Sequence, residues 1–177
     1  MTRYPRYKRV TSAITLALAA VWLGYLLLWP NTNATASGGV PVGGAAPDFE
    51  LKTVTGESYR LSDLKGKAVL LNFFATWCRY CEEEMPVLEE AHRLYADQGL
   101  VVLGIDLDET DLAITAFQEE LELTFPILVD RGSNVARLYQ IVPLPTTYFI
   151  DRDGVVRGKW TGAITRDQLR EALELIL

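Results

Sequence analysis

The chain has 177 residues, 49% of them hydrophobic, which suits one globular domain with a terminal appendage. Its formal charge of −6 is unevenly spread. Residues 1–30 hold Arg3, Arg6, Lys8 and Arg9 and no acidic side chain, and the remainder is 13 basic against 23 acidic. So acidic a body argues against nucleic acid as a partner, because phosphate binding needs clustered Lys or Arg. It is compatible with a basic protein or peptide, and equally with a charge that only keeps the domain soluble. The two cysteines, three residues apart, exclude a disulfide-stapled scaffold, and with the single distant His92 they fall short of a four-ligand zinc site.

From Val10 to Trp29 run twenty residues without a charge. As a helix rising about 1.5 Å per residue, they cover the roughly 30 Å hydrocarbon core of a bilayer. The basic residues 1–9 then stay in the cytoplasm, with Trp22, Tyr25 and Trp29 suited to the far interface. A cleaved signal peptide is the competing reading, since Ala34-Thr35-Ala36 resembles a signal-peptidase site. The apolar run is longer than the usual ~7–15-residue signal core, which favours a retained single-pass anchor. Either reading puts the rest of the chain outside the cytoplasm. Residues 30–46, rich in Gly, Ala, Thr and Asn, read as a flexible tether to a domain spanning 47–177.

The domain opens with an alternating stretch: Phe49, Leu51 and Val54 face Tyr59 and Leu61 across Thr55-Gly56-Glu57, a hairpin signal. Ala68 to Phe74 is an apolar run of strand length, as expected of a strand covered on both faces. A helix is predicted from Cys78 to Ala96, with Met85, Leu88, Ala91, Leu94 and Tyr95 on its apolar stripe and Gly99 suited to its end. A second buried strand, Leu100 to Asp106, leads to a helix from Thr110 or Asp111 to Leu121. Ile127 to Val129 is a short strand, and Asn134 can cap a helix reaching Tyr139. Thr146 to Ile150 returns to strand, and Asp151-Arg152-Asp153-Gly154 turns the chain into Val155–Trp160. Thr165 caps a last helix carrying Leu169, Leu173 and Ile176. The predicted class is α/β, a mixed central sheet flanked by helices.

Cys78-Arg79-Tyr80-Cys81 falls between a buried strand and the first turn of a helix. Free N–H groups and the helix dipole there stabilise an anion, so the Cys78 thiol should ionise below the free value of about 8.5, and Arg79 adds positive charge. A thiolate at Cys78 can attack a partner disulfide, and Cys81, one turn on, can resolve the mixed disulfide. A C-x-x-C can also be half a zinc site or a structural bridge. Export, the strand-to-helix position and the lack of a second C-x-x-C favour redox chemistry. No Gly-x-Gly-x-x-Gly follows a strand, and no cofactor or metal is expected. A peroxidase is disfavoured by the lack of a Pro-x-x-x-Thr-x-x-Cys pattern. A tethered binding module with a merely structural cysteine pair is the non-enzymatic alternative.

The stretch Leu70-Leu-Asn-Phe-Phe-Ala-Thr-Trp-Cys-Arg-Tyr-Cys-Glu-Glu-Glu-Met-Pro86 resembles the thioredoxin superfamily, and within it the extracytoplasmic ResA/TlpA-like group, as do Val142 to Ile150 and Asp151 to Gly154. The resemblance covers Ala46 to the C-terminus. It implies a thioredoxin-like fold with an N-terminal β-hairpin extension and a membrane anchor. It places Pro145 at the family's cis-proline facing the cysteines, where Leu144 backbone groups can pair with an extended substrate. It places Glu84 at the active-site glutamate, a proton shuttle for the thiols, against the plain alternative of a solvated carboxylate in an acidic run. Trp77 is expected to shield the sulfurs and Pro86 to bend the helix, unless either only packs. Asn72 stands where cytosolic thioredoxin has a buried aspartate. Arg79-Tyr80 departs from the group's usual pair ending in proline, and these residues tune the redox potential. The implied function is reduction of apocytochrome c during cytochrome c maturation, with electrons from a membrane thiol-disulfide carrier. The same chemistry on envelope or spore-coat disulfides, or in oxidative folding, is the alternative. His92 is read as a surface residue.

Overall fold

A computed structural model describes residues 39–177. The expected cytoplasmic segment 1–9, the anchor 10–29 and the tether up to residue 38 lie outside the described residues, and none of the described helices is long and apolar enough to cross a membrane.

In chain order the elements are β1 (Glu50–Thr53), β2 (Ser58–Arg60), β3 (Ala68–Phe74), α1 (Arg79–Tyr95), β4 (Leu100–Asp106), α2 (Asp111–Glu120), β5 (Ile127–Val129), α3 (Asn134–Leu138), β6 (Thr146–Ile150), β7 (Val156–Thr161) and α4 (Arg166–Leu173). The strands form one sheet in the order β2-β1-β5-β4-β3-β6-β7. The pairs β3/β4 and β4/β5 are parallel and the others antiparallel, which gives the mixed sheet that the chain order predicts.

β3 is buried along its whole length because both sheet faces are covered. Ala68, Leu70 and Phe74 point into one core with Met85 and Leu88 of α1 and Leu169 and Leu173 of α4. Val69, Leu71 and Phe73 point into the other, with Phe49, Val135, Tyr139 and Tyr148. This alternation is the period-2 geometry of a strand. Asn72 lies on the α1 face and is flanked in register by Gly104 on β4 and Thr147 on β6. A Cβ at Gly104 would come within 3.1 Å of the Phe74 ring and 3.2 Å of the Phe125 ring, both fully buried. Gly104→Val is therefore expected to cost about 1–3 kcal/mol through overpacking, read as a lowered denaturation midpoint.

The helix signals hold at Thr110, whose hydroxyl accepts from the Ala113 N–H, and at Thr165, which forms a capping box with Gln168. Asn134 does not cap α3. It sits inside the helix, and the buried Asp130 carboxylate accepts the Val135 and Ala136 N–H groups at 3.1 and 2.8 Å instead. Leu94, placed on the apolar stripe of α1, is 61% exposed. His92 is half-buried rather than on the surface: it lies one turn beyond Leu88 and meets the Phe125 ring edge-on at 6.2 Å. Pro86 stands on the solvent side of a continuous α1, where the Glu82 carbonyl it leaves without an N–H can be hydrated.

Residues 39–46, which composition assigns to the tether, are fastened to the domain. Gly43 N–H donates to Val156 O, Val156 N–H to Gly44 O and Ala46 N–H to Gly154 O, while Gly39 N–H reaches the Gln140 side chain. Glycine serves here as backbone that can approach a strand closely.

Candidate active site

β3 and the loop Ala75-Thr76-Trp77 deliver Cys78 to the N-cap position of α1, with extended backbone at φ −88°, ψ 106°. The Cys78 carbonyl accepts the N–H groups of Cys81 and Glu82 at 2.9 and 3.1 Å, so the first helical turn closes directly on the cysteine. Cys78 and Cys81 form a disulfide, with their Cα atoms 5.2 Å apart. Cys81 is fully buried and Cys78 is 8% exposed, so an approaching partner meets Cys78 first. A seventeen-residue helix ends its dipole at that sulfur.

Arg79 does not turn its charge onto the cysteines. It extends into solvent and pairs with Glu83 at 3.0 Å, one turn along the helix. Trp77 is 75% exposed and Tyr80 63%, and Val142, three residues before Pro145, is 86% exposed. Exposed apolar groups thus stand beside and between the cysteines. The Leu144–Pro145 peptide is cis. Pro145 precedes Thr146, which pairs with Phe73 at the end of β3, so the proline loop lies beside the strand that carries the cysteine loop. The Pro145 carbonyl accepts the Gly162 N–H at 2.8 Å.

Glu84 lies one turn beyond Cys81 and is 1% exposed, so it is not part of a solvated acidic run. Its Oε1 accepts from Asn72 Nδ2 at 2.7 Å and its Oε2 from the Ile164 N–H at 2.9 Å. Burial raises its pKa from 4.5 to about 7, and the two hydrogen bonds only partly oppose the rise. A carboxyl with such a value is able to take or give up a proton near neutral pH.

A pair of carboxyls lies under the cysteine loop, and no sequence pattern announces it. Asp106, fully buried at the end of β4, is level with Phe74 in register and accepts the Glu109 N–H at 2.9 Å. Glu109 in turn takes the Thr76 N–H at 2.5 Å and the Thr76 hydroxyl at 2.7 Å. Burial and the neighbouring Glu109 push Asp106 upward, while the hydrogen bonds that Thr76 donates help to hold Glu109 down. Through its two bonds to Thr76, Glu109 clamps the loop that leads to Trp77 and Cys78. The local signal in the sequence amounts to an acidic residue closing a buried strand.

The AhpC/TSA family matches residues 42–159. Thiol-disulfide oxidoreductase ResA of Geobacillus thermodenitrificans is 41% identical over 178 residues, and ResA of Geobacillus kaustophilus 40%, each alignment covering 99% of both chains. A crystal structure from Chlorobium tepidum assigned to thiol:disulfide interchange protein DsbE superposes with a TM-score of 0.71 at 30% identity, over 76% of this chain and 96% of that one. A cysteine pair at a helix N-terminus on a thioredoxin-like sheet, together with this likeness over nearly the whole length, places the chain in the AhpC/TSA family, among the ResA-type thiol-disulfide oxidoreductases.

Proposed function

We propose that this chain is a membrane-anchored protein-disulfide reductase that keeps the haem-binding cysteines of apocytochrome c reduced, outside the cytoplasm. The observation that carries the reading is Glu84, a buried carboxyl one turn from Cys81 with its pKa raised to about 7. Its value suits a group that must take a proton from one thiol and return it to another. In the forward direction the Cys78 thiolate attacks the substrate disulfide, forming a mixed disulfide and releasing one substrate thiolate. Cys81 gives its proton to Glu84 and attacks the Cys78 sulfur. The second substrate thiolate leaves, the substrate has gained two electrons, and the chain holds the Cys78–Cys81 disulfide. A membrane thiol-disulfide carrier restores the dithiol by the reverse exchange, drawing the proton back from Glu84.

Substrate binds beside Cys78 against Trp77, Leu144 and Pro145, with the Leu144 backbone pairing an extended chain. Arg79 and Tyr80 tune the potential; with Arg79 tied to Glu83, the helix terminus supplies most of the thiolate stabilisation. The charge pattern of residues 1–29 supports a single-pass anchor with the folded domain outside. The acidic body suits a basic apocytochrome partner.

Trapping tests the substrate. In Cys81→Ser the mixed disulfide at Cys78 has no resolving thiol, so apocytochrome c should be recovered covalently bound from cells expressing the full chain. Capture of a different envelope protein would redirect the assignment to that substrate. A reduction potential near that of a strong oxidant, about −120 mV, would overturn the reductase direction.

A further inference from the structure

We infer that Asn72, with Thr147 behind it, is a positioning residue that serves both protonation states of Glu84 by turning its side-chain amide through 180°. The inference rests on the reading of Glu84 as the proton shuttle and deepens it.

The argument begins with which atoms around Glu84 can accept. Its Oε2 faces the Ile164 backbone N–H, which can only donate. Its Oε1 faces Asn72 Nδ2, which also can only donate. This arrangement fits a carboxylate. Once protonated, Glu84 carries an O–H, and in the observed arrangement neither partner can receive it. Cys81 lies one turn back on α1 and Thr147 lies across the strand from Asn72, and no charged group contributes to the shift of Glu84.

An asparagine amide resolves this, because its oxygen and nitrogen are nearly isosteric. Asn72 Nδ2 now donates twice, to Glu84 Oε1 at 2.7 Å and to Thr147 Oγ1 at 2.9 Å, while its Oδ1 is buried without a partner. Turning the amide brings Oδ1 to the same two neighbours. It then accepts the Glu84 O–H on one side and the Thr147 hydroxyl on the other, since a hydroxyl can reverse from acceptor to donor. No backbone bond breaks, and besides the amide only the Thr147 hydroxyl reorients. An ionised aspartate at position 72 would face the carboxylate with acceptors only, and a leucine would serve neither state. The register keeps the set aligned: Asn72, Thr147 and Trp160 are successive cross-strand neighbours on β3, β6 and β7. In each state Glu84 keeps two hydrogen bonds and Asn72 makes two, one to Glu84 and one to Thr147, while the other end of the amide faces the place where Oδ1 now lies without a partner.

The test is nuclear magnetic resonance on the full chain in detergent micelles, oxidised so that no thiol titrates, with the Asn side-chain amides and Glu carboxyl carbons labelled. Above the Glu84 midpoint, the Asn72 amide protons should show strong cross-relaxation to the Glu84 and Thr147 side chains. Below it, these signals should fall several-fold, with the same midpoint as the Glu84 carboxyl carbon. In Glu84→Gln the Asn72 amide should hold one orientation at every pH. Constant cross-relaxation through a clear Glu84 titration overturns the inference alone and leaves the shuttle standing. PH-dependent turning that persists in Glu84→Gln also overturns it. A Glu84 carboxyl that does not titrate between about pH 5 and 9 removes the shuttle reading and this inference together.

Discussion

Cys78→Ser is expected to lower disulfide reduction by at least about 10³-fold, to the level of the uncatalysed exchange. A serine hydroxyl does not ionise near neutral pH, so the helix terminus has no anion to stabilise and no nucleophile remains at the surface. Cys81 cannot stand in, since it is fully buried and follows Cys78 by one helical turn. The fold should survive, because serine nearly matches cysteine in size and shape and the Cys78 carbonyl, not its sulfur, closes the first turn. An assay of disulfide reduction beside a thermal melt separates the two effects. Full activity in Cys78→Ser would mean that the cysteine pair is only a structural bridge.

Glu84→Gln should slow exchange by about 10²-fold or more, the usual contribution of a positioned acid-base group, and should flatten a pH dependence of stability. The sign follows from the raised pKa. Between pH 4.5 and about 7 the native chain keeps the Glu84 proton while the unfolded chain has lost it, so stability falls across that window and is level above it. A rise from 4.5 to about 7 corresponds to about 3 kcal/mol. Wild type and Glu84→Gln should therefore differ most in the slope of urea midpoints from pH 4.5 to 7. Subtracting the two series cancels Asp106, which is also raised and titrates in the same direction. Parallel slopes would show that Glu84 ionises as an ordinary carboxyl.

Much of this molecule is legible in its sequence because much of it is local. The runs Ala68–Phe74 and Leu100–Asp106 are strands that any reading of apolar length finds, and Thr110 and Thr165 advertise their helices from the residue just before each. The cysteines declare their chemistry by position alone. What escapes is held by contacts far apart in the chain. Glu84 meets Ile164 across 80 residues and Asn72 meets Thr147 across 75, so a row of three glutamates gives no sign which one is buried. The clamp from Asp106 and Glu109 to Thr76 depends on two strands ending side by side. The capping of α3 passes from Asn134 to Asp130 because a left-handed Ser133 intervenes, and that displaces the cap by several residues. Residues 39–46 look like linker because their bonds to β7 are made by backbone, on which composition says nothing.

The two margins of the sheet bear on how such a protein meets other polypeptide chains. β2 is only three residues long, and the Arg60–Glu50 ion pair ties its end to β1. β7 has its first residue, Val156, bonded by Gly43 and Gly44, a register irregularity opposite Phe149 and Ile150, and Arg157 and Lys159 farther along. Short length, a covered start, a bulge and basic side chains are the devices that blunt a margin against strand addition. A thiol-disulfide oxidoreductase, whose substrates are themselves proteins, thus offers them little template for strand addition along these margins among its described residues, and is guarded against lengthening its sheet with a second chain.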